Sequence, residues 1–124
     1  MNKNYQLGLL YLVHLLMSAD GVIDENETRA LNTLKTREGI SDATFEEFKK
    51  TISEKKGRDI YQAGIDYINQ CTDEEKLRAF VILYNMSEVD GSVHVKEVRL
   101  LLYCIKVTGI EFDDVVAKAT GSSV

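Results

Sequence analysis

Apolar residues at Leu9, Leu10, Leu12, Val13, Leu16 and Met17 recur with helical spacing, and further apolar residues fill the other faces. A helix that is apolar on so many sides belongs at the centre of a fold. The pattern stops at Ala19-Asp20-Gly21, where a glycine in the left-handed conformation closes a helix. A second helix starts at Asp24, whose pairing with Glu27 forms a capping box, and carries the narrower stripe Ala30, Leu31 and Leu34 before ending near Gly39. Ser41 or Asp42 caps a third helix with Phe45, Phe48 and Ile52 on one face, and Gly57 breaks it. A fourth helix covers about Asp59 to Gln70 and turns Tyr61, Ile65 and Ile68 inward.

Thr72 with Glu75 makes a second capping box and opens a fifth helix. Its main stripe is Leu77, Phe80, Val81 and Tyr84, widened by Ile82, Leu83 and Met86. After Asp90-Gly91 a sixth helix carries Val95, Val98, Leu102 and Ile105 and stops at Gly109, and a short helix near Asp113 to Ala119 finishes the fold. The expected architecture is all-α, a compact bundle of six to seven helices in a single domain over residues 1–124.

A shift of seventy residues overlays Ala19-Asp20-Gly21-Val22-Ile23-Asp24-Glu25-Asn26-Glu27-Thr28-Arg29 on Val89-Asp90-Gly91-Ser92-Val93-His94-Val95-Lys96-Glu97-Val98-Arg99. Asp, Gly, Glu and Arg match identically, Ile23 matches Val93 in character, and Gly39-Ile40 overlays Gly109-Ile110 at the same offset. The repeat units drawn from this match cover about residues 7–40 and 77–110, with the third and fourth helices between them. One helical hairpin cannot bury its own apolar face, so the two units are expected to pack with the first and fifth helices as neighbours at the core.

Composition narrows the function classes. The 124 residues, 44% hydrophobic and 28% charged, are those of an ordinary globular domain. A net charge of −5 argues against general nucleic-acid binding through phosphate neutralisation. Cys71 and Cys104 form no Cys-x-x-Cys pair and are expected as buried free thiols. Leu7 to Met17 superficially resembles the apolar core of a secretory signal, but it is too short to span a bilayer. The equivalent run Phe80 to Met86 stands in mid-chain, so the chain is expected to be cytoplasmic. Lys49, Lys50, Lys55, Lys56 and Arg58 are interleaved with acids and fit a solvated helix face, with a contact patch for an acidic partner as the weaker alternative.

The motif Asp-Gly-x-[Ile/Val]-x-x-x-Glu matches positions five, six, eight and twelve of a calcium-binding loop in both copies. Position one, however, falls on Leu16 and Met86, and calcium takes roughly six to eight oxygens, so a standard calcium hand is excluded. Two readings of the acids stay open. Asp20 and Asp90 accept amide hydrogen bonds in their own turns while Glu27 and Glu97 complete helix starts, with Arg29 and Arg99 as ion-pair partners. Alternatively, Asp20, Glu27, Asp90 and Glu97 form a looser metal site for Ca, Mg or Mn, with Asp24, Glu25, Glu88 and His94 as further candidate ligands. His14 lies in an apolar helix and is expected as a core histidine.

An apolar helix running into Met17-Ser18-Ala19-Asp20-Gly21-Val22-Ile23-Asp24-Glu25-Asn26-Glu27 resembles the tellurite-resistance TerB family, whose hallmark is Ala-Asp-Gly with a downstream Glu. Glu88-Val89-Asp90-Gly91 with Glu97 and Arg99 resembles that family's second half, and the resemblance covers roughly residues 5 to 119. It implies a duplicated all-helical fold, a bacterial tellurite- and stress-resistance setting, and a divalent-cation site on Asp20, Glu27, Asp90 and Glu97. Val89 in place of Ala, and His94 and Val95 in place of Asp24 and Glu25, make the second half less acidic than the first.

Three functions compete. The first is a non-enzymatic stress-response module acting through protein partners or a cation. It is preferred because the chain carries no phosphate loop, Cys/His metal cluster or recognisable nucleophile–base pairing, and so no catalytic or cofactor-binding residue is assigned. The second is a metal-dependent hydrolase using the same carboxylates. The third is a structural oligomerisation domain.

Overall fold

The computed structural model describes residues 3–17, 25–87, 103 and 105–121. The described residues form α1 (Lys3–Met17), α2 (Glu25–Arg37), α3 (Asp42–Glu54), α4 (Gly57–Asn69), α5 (Asp73–Ser87) and α6 (Phe112–Gly121). Residues 105–108 are also helical, and no strand occurs among the described residues. The fold is an all-α bundle.

α1 is the hub. Tyr5, Leu7, Leu9, Leu10, Tyr11, Leu12, Val13 and Leu16 are all buried, which is why its sequence is apolar on every side. α2, α3, α4 and α5 all pack on it, and its most extensive partner is α4. Two glycines make that close approach work. A Cβ at Gly8 would stand 2.8 Å from Ile68 Cγ1, and one at Gly64 would stand 3.1 Å from Leu12 Cδ2. Gly8 thus meets Tyr67 and Ile68 while Gly64 meets Tyr11 and Leu12, so the helices run antiparallel. Asn4 closes the far end by donating to Gln70 Oε1 at 3.1 Å.

An aromatic cluster joins α3 to this pair. The Tyr11 ring lies 5.7 Å from Phe48 and 5.9 Å from Tyr67, and Phe45 lies 5.8 Å from Phe48. Phe48 is fully buried, and Ile52 further along α3 is half-buried.

The local signals that start and stop these helices act as their chemistry dictates. The Ser41 hydroxyl accepts from the Thr44 amide at 3.2 Å and caps α3. At α5 the Thr72 amide donates to Glu75 Oε1 at 3.0 Å and the Glu75 amide donates to Thr72 Oγ1 at 3.1 Å, a reciprocal capping box. Two expectations need correction. α3 ends at Glu54, the break falls on extended Lys55 and Lys56, and Gly57 is the first residue of α4, which therefore starts before Asp59. In α5 the fully buried set is Ala79, Phe80 and Leu83, while Leu77, Val81 and Tyr84 are only half-buried. A wide apolar surface lets the packing partners, rather than the hydrophobic count, choose which face is deepest.

Helix boundaries repeat along the chain. α1 and α5 start seventy residues apart and both span 15 residues, and α3 and α6 also start seventy residues apart. Gly39 and Gly109, the two glycines with positive φ (62° and 79°) among the described residues, close matching turns. In the first, the Gly39 amide donates to Thr36 O and the Ile40 amide to Lys35 O. In the second, the Gly109 amide donates to Lys106 O and the Ile110 amide to Ile105 O. These are two Schellman caps with the same pair of hydrogen bonds. Equivalent core residues also match: Leu9, Leu10 and Val13 of α1 and Ala79, Phe80 and Leu83 of α5 are all buried, as are Phe45 and Val115. The correspondence therefore runs past the Gly-Ile stops to include α3 and α6, and leaves α4 as the described helix without a counterpart. α1 and α5 are neighbours in the core. No described helix is long and apolar enough to cross a membrane.

Candidate cation site and the polar cluster beside it

The two motifs are only partly within the described residues. Asp20, Asp24, Glu88, Asp90, His94 and Glu97 lie outside them, as does Arg99. Glu27 lies in the first turns of α2. Glu25 opens α2 and is exposed, and Arg29, one turn on, is exposed as well. Among the described residues no group of three or more His, Cys, Asp or Glu is placed to hold a metal ion.

The surface next to the first motif is an open groove of about 580 Å³ along α2, lined by Glu25, Thr28, Arg29, Asn32, Thr33 and Thr36. It offers one carboxylate, one guanidinium and neutral hydrogen-bonding groups. The spacing explains why: 25, 28, 29, 32, 33 and 36 are one face of a helix whose other face carries Leu31 and Leu34.

The other candidate groups fall where their surroundings dictate. His14 is buried in α1, edge-on to the Phe48 ring at 6.2 Å between centroids. The Cys71 thiol is half-buried and donates to Tyr67 O at 3.4 Å, and burial first, then the Glu75 carboxylate, push its pKa up. That environment suppresses the thiolate and with it nucleophilic reactivity. Cys104 is outside the described residues. Lys49, Lys50, Lys55, Lys56 and Arg58 are all exposed, and Lys49 pairs with Glu46 at 3.1 Å.

The most organised polar group in the described residues is one that the pattern of the chain does not announce. Glu38, in the turn after α2, has its side chain 4% exposed. Arg78 of α5 grips it with both arms of the fork, Nε to Oε1 at 3.2 Å and a terminal nitrogen to Oε2 at 2.9 Å. The Tyr5 hydroxyl of α1 donates to Oε1 at 3.0 Å. Burial pushes the Glu38 carboxyl up, but the hydrogen bonds from Arg78 and Tyr5 outweigh it and hold the group below its ordinary value. Burial and the adjacent carboxylate push the Tyr5 hydroxyl well above its usual range, so it remains the donor. In the second unit Lys76 Nζ donates to Thr108 O at 3.5 Å. Glu38 and Arg78 stand forty residues apart, and no local spacing relates them.

Comparison of the chain with family models, with curated proteins and with solved structures gives no match.

Proposed function

We propose that the chain is a TerB-like, non-enzymatic stress-response module of the cytoplasm that works through protein partners and holds a divalent cation on Asp20, Glu27, Asp90 and Glu97. The observation that carries this reading is the seventy-residue duplication of Asp-Gly-x-[Ile/Val]-x-x-x-Glu. It is supported by the paired helix starts and the paired Schellman caps at Gly39 and Gly109, which extend the same periodicity well away from the motif. A duplicated fold needs matched helices. The two matched acids beside the two turns suit either paired helix caps or a shared cation, and the cation is the reading proposed. Four carboxylates and no soft ligand suit a hard cation such as Ca, Mg or Mn.

Calorimetric titration of the chain with each of the three ions tests the cation. A saturable heat together with a rise in Tm that is lost in Asp20→Asn/Asp90→Asn is expected. At an ion concentration about a hundred times Kd, the stabilisation is about 2.7 kcal/mol. Titrations without heat and without a Tm change at millimolar ion would remove the cation. Affinity capture with the wild-type chain as bait, and growth of a deletion strain under tellurite, test the partner and the stress setting. Loss of both signals would leave only a structural role.

A further inference from the structure

We draw no further inference here: the strongest candidate, the exposed patch of Lys49, Lys50, Lys55, Lys56 and Arg58 where α3 meets α4, is interleaved with the exposed acids Glu46, Glu47, Glu54 and Asp59, and nothing in the structure shows what covers it.

Discussion

Of the described glycines, Gly8 has the least room for a side chain. With Ile68 Cγ1 2.8 Å and Cδ1 2.9 Å from its would-be Cβ, a methyl group there forces α1 and α4 apart or Ile68 off its rotamer. Gly8→Ala is expected to lower the unfolding free energy by about 1–3 kcal/mol, against the usual gain from placing Ala in a helix interior. Urea denaturation checks the sign. A stabilised variant would mean that the helices do not approach this closely. Glu38 is the other residue whose environment makes a definite demand. Its folded-state pKa is lowered from 4.5, so the stability it contributes is complete above that ordinary value and is lost as pH falls through the folded-state value. The difference in Tm between wild type and Glu38→Gln is expected to be constant from neutral pH down to about 4.5 and to shrink below it. A gap that widens in acid would mean that Glu38 is protonated in the fold. Neither residue advertised itself in the sequence. Gly8 looks like any glycine in a helix, and the partner of Glu38 is fixed by tertiary packing forty residues away.

At the scale of elements, the short-range signals were legible and the long-range ones were not. Ser41, Thr72 with Glu75, Gly39 and Gly109 work through bonds to residues within five positions, so their meaning is carried locally. The deep face of α5 and the true start of α4 depend on what lies across from them. Gly57 was expected to end a helix because glycine weakens a helix interior, yet at the first position of α4 no interior bond is at stake. Lys56, immediately before it, makes no side-chain cap, so α4 starts without a cap of the kind that opens α5. Thr72→Ala removes one half of the α5 box and is expected to cost about 1 kcal/mol, read as a lower midpoint in urea with unchanged slope. Lys56→Ser supplies the missing cap to α4 and is expected to raise the midpoint by a similar or smaller amount.

At the scale of the molecule, the duplicated architecture could be seen in the chain because a repeat is a comparison of the sequence with itself. It needs no knowledge of contacts. Its full extent could not be seen, since α3 and α6 share a start position and a buried residue, Phe45 or Val115, but little sequence. The candidate cation site was legible as a pattern of acids, and its geometry belongs to residues outside the described set.

The extended pair Lys55 and Lys56 between α3 and α4 has a consequence for protease sensitivity. Both residues are exposed, both have extended backbone angles, and both are tryptic targets, so limited trypsin treatment is expected to cut there before the helices. The cut separates α1, α2 and α3 from α4 and the second unit. α4, however, is locked to α1 through Gly8 and Gly64. The nicked protein should therefore run as two fragments in denaturing gels and as one particle of unchanged size in gel filtration. A noncovalent pair of fragments that refolds after mixing would offer a way to exchange either half of the repeat without touching the other.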